Sequence, residues 1–191
     1  MAISYQITPC SQKHLYQVQL SFIATSAHQE LSLPTWIPGS YMVREFSKNI
    51  ITLSVSQAQI ALSSEQINKN TWLISGLEVG IGVSVNYTVY AYEYGIRTAF
   101  LDHTRGYFNP SSLCLAVVGC ETSPHKVSFS QLPTDWQVAS GLNQTSENTF
   151  MAQDYDELLD MPFELGRFKR LEFMVAGVPH YLVLSGTILP F

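Results

Sequence analysis

The feature of this sequence that most restricts its fold is a repeated alternation of apolar and polar residues. In HLYQVQLSFIA (residues 14–24), every second residue from Tyr16 to Phe22 is apolar, and the residues between them are glutamine or serine. The segment VSVNYTVYAY (83–92) repeats the pattern. Successive side chains of a β-strand point to opposite faces of a sheet, so both segments are predicted to be strands with one buried side.

Further short strands are predicted between segments rich in turn-forming residues, such as INKN and GLNQTSEN. They lie at 3–8, 28–33, 49–56, 59–63, 70–75, 111–118, 126–132, 136–139, 170–177 and 180–185. Many short strands at about ten-residue spacing are typical of a sandwich of antiparallel sheets. The predicted fold class is therefore mainly β, an antiparallel β-sandwich with one or two short helices. The chain, residues 1–191, is expected to form a single domain.

Helix is predicted at two places. The segment DYDELLDMPF (154–163) begins with Asp154, a favourable N-cap, and Glu157 stands at the third helical position, as in a capping box. The proline near its end is expected to stop this helix after about two turns. A single helical turn is also expected at 41–46, after a Pro-Gly step.

Composition argues against several classes of function. The net charge is −5, and no basic run is longer than RFKR (167–170), so no nucleic-acid partner is expected. No segment approaches the ~20 apolar residues of a membrane-spanning helix, and no signal peptide is visible. The cysteines Cys10, Cys114 and Cys120 are interpreted as reduced thiols. A cytoplasmic protein without a membrane partner is therefore expected.

Two segments concentrate charged and aromatic residues in a chain of which only 13% is charged. The first, SLPTWIPGSYMVREFSKNI (32–50), contains two prolines that end a strand and a Pro-Gly step that turns the chain. The second is YEYGIRTAFLDHTRGYFNPSSL (92–113). Under a purely structural alternative, arginines in these segments brace the loops by pairing with nearby acids: Arg44, Arg97 and Arg105 with Glu45, Asp102 or Glu93.

Familiar catalytic motifs are missing from the sequence. It has no H-E-x-x-H zinc motif, no G-x-S-x-G nucleophile elbow and no glycine-rich phosphate loop followed by lysine. Ser40, Asp102 and His103 supply the residue types of a catalytic triad, but a serine-rich chain contains such sets by chance. No catalytic residue and no metal site is therefore predicted in this chain.

Three segments, in the correct order, resemble the N-terminal domain of the glycyl aminopeptidase family of zinc metallopeptidases. LPTWIPGSYMVREFSKNI (33–50) resembles the first signature of that domain, and IRTAFLDHTRGYFNPSSLCL (96–115) resembles the second. DYDELLDMPFELGRF (154–168), followed by LEFMVAGVPHYLVLSG (171–186), resembles its closing segment. Together the matches extend over nearly the whole chain.

The resemblance implies a parent protein with this β domain, a thermolysin-like zinc domain and a PDZ-like domain. The H-E-x-x-H helix belongs to the zinc domain and has no counterpart in this sequence. In the parent, zinc would activate water and polarise the scissile carbonyl of a peptide with a small N-terminal residue. This chain would hold no cofactor and would be inactive alone. Its expected role is to dock on the zinc domain and shape the cleft.

The resemblance also indicates which residues would lie at the edge facing the zinc domain. The candidates are Trp36, Tyr41, Arg44, Glu45, Arg105 and Tyr107. An arginine of this set would steer a peptide carboxylate or carbonyl, and the aromatic side chains would line the cleft. The low charge of the chain fits a domain that keeps apolar surface for a neighbouring domain.

Two other classes of function stay open at this point. A stand-alone carbohydrate- or peptide-binding module would need Trp36, Trp72 or Trp136 to form an exposed, coplanar platform. A small hydrolase with an unrecognised nucleophile is the third possibility.

Overall fold

A large sheet and two smaller sheets form most of the computed structural model, which describes residues 2–186. In chain order the strands are β1 (Ile3–Cys10), β2 (Leu15–Ile23), β3 (His28–Ser32), β4 (Ile50–Gln57), β5 (Ile60–Leu62), β6 (Ser64–Asn68), β7 (Thr71–Ser75), β8 (Gly82–Tyr90), β9 (Ala99–Leu101), β10 (Arg105–Phe108), β11 (Ala116–Val117), β12 (His125–Phe129), β13 (Gln137–Ser140), β14 (Asn143–Ser146), β15 (Thr149–Ala152), β16 (Phe163–Gly166), β17 (Phe168–Val175) and β18 (Val178–Ser185). The helix α1 spans Tyr155–Asp160, and 3₁₀ turns lie at Ser11–Lys13, Phe46–Asn49 and Pro110–Ser112. The predicted mainly β class is confirmed.

The large sheet has the strand order β14-β15-β12-β1-β2-β8-β4-β5. The two smaller sheets have the orders β13-β16-β10-β9 and β11-β3-β7-β6, and β17 pairs with β18 as a separate hairpin. Neighbouring strands are antiparallel at most positions, as predicted. The first strand is an exception, because β1 pairs with β12 in parallel.

Alternation along β2 and β8 builds the core. The apolar residues of β2, such as Tyr16 and Leu20, are buried, and the glutamines between them are exposed. Aromatic contacts join this inner face to the sheet that contains β10, where the rings of Tyr16 and Phe108 lie 5.2 Å apart. Each large apolar side chain buried in this way stabilises the fold by about 1.5–3 kcal/mol. The other face of the large sheet remains polar.

The strand predicted at 111–118 is wrong over most of its length. Pro110–Ser112 is a 3₁₀ turn, and only Ala116–Val117 joins a sheet. The carbonyls of 113–115 accept hydrogen bonds from buried tyrosine hydroxyls instead: Tyr87 to Leu113 (2.9 Å), Tyr155 to Cys114 (2.6 Å) and Tyr5 to Leu115 (2.8 Å). Buried carbonyls need a hydrogen-bond donor, and these hydroxyls take the place of the N–H groups of a neighbouring strand.

The predicted helix at 154–163 is confirmed as α1. The Asp154 carboxylate accepts a hydrogen bond from the Glu157 N–H at 2.8 Å, which is the expected N-cap interaction. Glu157 in turn accepts from the Gln153 N–H, one residue before the N-cap, at 2.6 Å. The first bond satisfies a donor that the start of a helix leaves free, and the second holds the residue that precedes the N-cap.

The helical turn expected at 41–46 is wrong, because the 3₁₀ turn begins only at Phe46. Residues 35–44 close on themselves as a loop instead. The Arg44 N–H donates to the Thr35 carbonyl at 2.6 Å, and the Trp36 indole N–H donates to the Ser40 carbonyl at 2.5 Å. The Arg44 N–H and the Ser40 carbonyl, which would bond to each other in a helical turn, are therefore both occupied by other partners.

Candidate functional site

The first signature forms a projecting loop, defined here as residues 35–44. Tyr41 is fully exposed at its tip, and Trp36 is 55% exposed. Gly39 has a φ of +77°, a conformation that other residues adopt with strain, so the Pro-Gly step requires a glycine. The loop is therefore a surface element, and Tyr41 lies outside the core.

The second signature braces this projecting loop. The Arg97 guanidinium donates to the Gly39 carbonyl at 2.7 Å. The Tyr107 hydroxyl donates to the Ile96 carbonyl at 2.8 Å. The loop at 92–98 therefore connects the Pro-Gly turn to strand β10, so the two sequence signatures meet in space.

Exposed aromatic residues lie beside this connection. The ring of Tyr94 stacks on Phe100 at 4.2 Å, and Tyr92 stacks on the same ring at 5.4 Å. Phe100 is buried, whereas both tyrosines are exposed, as is Ile96. Together with the projecting loop, these residues add apolar surface to one part of the molecule.

Arg105 and Tyr107 point to the outer face of β10, because they alternate with the buried Gly106 and Phe108. The Arg105 guanidinium pairs with the Glu164 carboxylate at 2.7 Å. The Ser185 hydroxyl donates to the other oxygen of Glu164 at 2.6 Å. This carboxylate therefore links β10, β16 and the end of β18.

Glu164 was not predicted from the sequence as a partner of Arg105. It stands 59 positions from Arg105, and the acids considered as partners, Asp102 and Glu93, are much closer in sequence. Asp102 instead binds its own turn, where its carboxylate accepts from the Thr104 N–H and hydroxyl and from the Arg105 N–H. Burial opposes ionisation of Asp102, but these hydrogen bonds outweigh it and lower the pKa of the carboxyl.

Arg44 and Glu45 follow the projecting loop and have different surroundings. Glu45 pairs with Lys69 at 2.5 Å, and both side chains are largely exposed. Arg44 is partly buried, and its Nε has no hydrogen-bond partner among residues 2–186. The pairing of arginines with Glu45, Asp102 or Glu93 is therefore not what the described structure contains.

The hairpin of β17 and β18 lies over the outer face of β10 and β16. A cleft of about 750 Å³ separates them, lined by Tyr107 and Glu164 on one side and by Arg170 and Tyr181 on the other. The Arg170 guanidinium lies 3.8 Å from the centre of the Tyr181 ring. Large apolar side chains are exposed on both faces of this hairpin: Leu171, Phe173, Met174, Val175, Val178, Tyr181 and Leu182.

Ser40 is the serine of the possible catalytic triad. The Ser40 hydroxyl donates to the Met42 carbonyl at 3.1 Å, so it is engaged within its own loop. No three His, Cys, Asp or Glu side chains within residues 2–186 come together as metal ligands, so this part of the chain does not fit a zinc ion. Cys10, Cys114 and Cys120 are free thiols, and burial raises the pKa of Cys114.

Two further observations concern partners. Trp72 and Trp136 are buried, so the three tryptophans do not form an exposed platform. The helix of the described residues is too short and too polar to cross a membrane.

Residues 4–167 match the sequence model of the peptidase M61 N-terminal domain. The chain belongs to this family. The family predicted from the three signatures is confirmed. No curated protein sequence matches this M61 N-terminal domain.

Solved structures resemble this M61 N-terminal domain over nearly all of its length. A crystal structure of an aminopeptidase N family protein from Idiomarina loihiensis is 41% identical, with a TM-score of 0.89. The match covers 97% of this chain and 32% of that one, so the chain spans about a third of the relative. Legionella pneumophila aminopeptidase A, in complex with aspartic acid, is 11% identical with a TM-score of 0.53, and the match covers 91% of this chain and 22% of that one. The second likeness shows the fold alone.

Proposed function

We propose that this M61 N-terminal domain is the non-catalytic β-sandwich of a zinc metallo-aminopeptidase, docked on the zinc domain. The observation that carries the proposal is the exposed hairpin of β17 and β18, which lies beyond the residues that match the family. The likeness to one third of an aminopeptidase N family protein supports it, because about two thirds of that chain lie outside the match.

The hairpin has the properties of a surface that another domain covers. An isolated two-stranded hairpin is marginally stable in water. Here neither face packs closely, and Leu171, Met174 and Val178 are each at least half exposed. A contiguous exposed apolar surface marks an interaction site. We assign this surface to the zinc domain.

The cleft edge is assigned to the projecting loop and the residues that brace it. Trp36 and Tyr41 would contact the substrate or the zinc domain, because their rings are exposed on a loop held by internal hydrogen bonds. Arg105 is already paired with Glu164, so Arg44 is the arginine assigned to a peptide carbonyl. Tyr107 would support the edge through its bond to Ile96.

In this proposal the zinc ion is held by the neighbouring domain, where it supplies an activated water for peptide hydrolysis. This chain contributes binding surface and positioning only. Residues 1–191 should therefore not cleave aminoacyl p-nitroanilides, with or without added zinc. Cleavage that a chelator abolishes would overturn this part of the proposal.

The docking role is tested by mixing this chain with the remaining two thirds of the Idiomarina loihiensis protein. We expect a complex in analytical ultracentrifugation. The double substitution Leu171→Asp and Leu182→Asp should abolish it, because two carboxylates would be buried without partners. Ile60→Asp is the control, since Ile60 is also apolar and exposed but lies on β5. Equal binding by both variants would contradict the assignment of the hairpin.

A further inference from the structure

The outer face of the large sheet carries an ordered array of uncharged polar side chains. Strand pairing places these residues in three rows across β1, β2, β8 and β4. The rows are Ser4–Ser21–Ser84–Ser56, Gln6–Gln19–Asn86–Ser54 and Thr8–Gln17–Thr88–Thr52. We call these twelve residues the polar array. None of them is charged, although the chain has 10 basic and 15 acidic residues.

The polar array faces away from the core. Its members alternate with buried residues such as Tyr5, Leu20 and Val85, which point to the inner side of the sheet. Neighbouring strands of a sheet lie about 4.8 Å apart, and side chains on one face recur about every 6.8 Å along a strand. The array therefore forms a regular grid of hydroxyl and amide groups.

Two grooves lie on this grid. One has a volume of about 370 Å³ and the other of about 570 Å³. Gln19 and Asn86 line both grooves, so the two are continuous. No charged residue lines either groove. The face thus carries shallow, uncharged grooves in which hydroxyl and amide groups are accessible.

Several groups of the polar array are free to bind a ligand. Four contacts of array hydroxyls or amides are internal to the protein: Thr52 with Thr88, Thr8 with Ser130, Gln19 with Ser84, and the Ser54 hydroxyl with the Asn86 backbone carbonyl. The side chains of Gln6, Gln17 and Asn86 make no hydrogen bond within residues 2–186. Each carboxamide offers two N–H donors and one carbonyl acceptor.

We propose that the polar array binds a neutral polyhydroxylated chain, that is, a linear uncharged oligosaccharide. A charged ligand would lose water here without gaining a countercharge, which is unfavourable. Sugar hydroxyls both donate and accept, as the side chains of the array do. An extended peptide is disfavoured, because peptides pair with the edges of sheets rather than with their faces. The array contains no aromatic ring for stacking, so binding is weak.

This binding is independent of the docking role. The polar array lies on the side of the large sheet opposite its contacts with the smaller sheets, whereas the hairpin and the projecting loop belong to that other side. A failure of one proposal therefore leaves the other unaffected.

The test is a titration of isotope-labelled residues 1–191 with maltoheptaose, cellohexaose and laminarihexaose at millimolar concentrations, followed by amide chemical shifts. We expect at least one neutral sugar to shift the side-chain amides of Gln6, Gln17 and Asn86. Oligogalacturonate of similar length should not bind. Asn86→Asp should weaken binding about tenfold, because it replaces a donor with a charge. Gln137→Glu, which adds the same charge on β13, is the matched control and should change nothing.

Several results would overturn the proposal. One is the absence of shifts with all three neutral sugars. Another is a set of shifts confined to the projecting loop or the hairpin. Concentration-dependent shifts of the polar array without any sugar would assign this face to a second copy of the chain instead. Equal loss of binding in Asn86→Asp and Gln137→Glu would show that net charge, rather than the array, determines the affinity.

Discussion

The pair β2–β8 and the hairpin β17–β18 are both rich in apolar residues, but their surroundings are opposite. Both are antiparallel pairs of eight- or nine-residue strands. Leu20 in β2 is 0% exposed, whereas Leu182 in β18 is 46% exposed. The difference arises because the smaller sheets cover one face of β2–β8, and the described residues leave most of the hairpin open. The alternation of apolar and polar residues therefore predicts which face of a strand is apolar, but not which other element covers that face.

The largest effect is expected when one leucine in each pair of strands is truncated to alanine. Leu20→Ala should lower the free energy of unfolding by about 2–5 kcal/mol, because it leaves a cavity in a close-packed core. Leu182→Ala should change it by no more than about 0.5 kcal/mol. Urea denaturation followed by circular dichroism measures both. A similar loss in the two variants would mean that the hairpin is buried in solution by association with another molecule.

A second test removes one hydroxyl from each region. Tyr155→Phe should lower the free energy of unfolding by about 1–3 kcal/mol, because the buried Cys114 carbonyl loses its donor. Tyr181→Phe removes the same group from the exposed hairpin and should leave stability unchanged. Thermal unfolding of the two variants compares them directly. If Tyr155→Phe were neutral, the hydroxyls would not be what holds residues 113–115 in place.

The smallest expected effect concerns pH and the buried His125. Its ring packs against Tyr5 and Tyr155, and its Nε2 has no partner among the described residues. Burial lowers the pKa of this imidazole, and the Ser123 carbonyl and nearby acids compensate only in part. Below its usual pKa of about 6.5, the unfolded chain binds the proton more readily, so stability falls as pH decreases.

Urea denaturation between about pH 7.5 and pH 5.5 measures this dependence, a window above most carboxyl titrations. His125→Leu should reduce the slope of stability against pH. His180→Leu is the control, because His180 is exposed on the hairpin and its removal should leave the slope unchanged. A slope that persists in His125→Leu would assign the pH dependence to other groups.

Sequence reasoning succeeded where the determinants are local. Alternation located β2 and β8, and the Asp154 cap located α1. The three signatures identified the family, because they combine residue identity with order along the chain. Short strands such as β9 and β16 were not predicted, since three or four residues are too few to show alternation.

The determinants that sequence reasoning missed act over long distances in the chain. The hydroxyl of Tyr5 bonds to a carbonyl 110 positions away, and Arg105 finds its acid 59 positions away. For the candidate site, the sequence indicated that the two signatures matter but not that Arg97 of the second donates a hydrogen bond to Gly39 of the first. The interface role stays a prediction for all six candidates: Trp36, Tyr41, Arg44, Glu45, Arg105 and Tyr107.

The parallel pairing of β1 with β12 has a consequence for how the protein is made. Residues 3–7 pair with 125–129, so β1 acquires this neighbour only after the intervening residues and β12 have been synthesised. At about 5–20 residues per second, this delay is several seconds or more. Such distant pairings also make folding slow, because a long loop must close first. During this interval β1 has a free edge, and a free strand edge can pair with another chain.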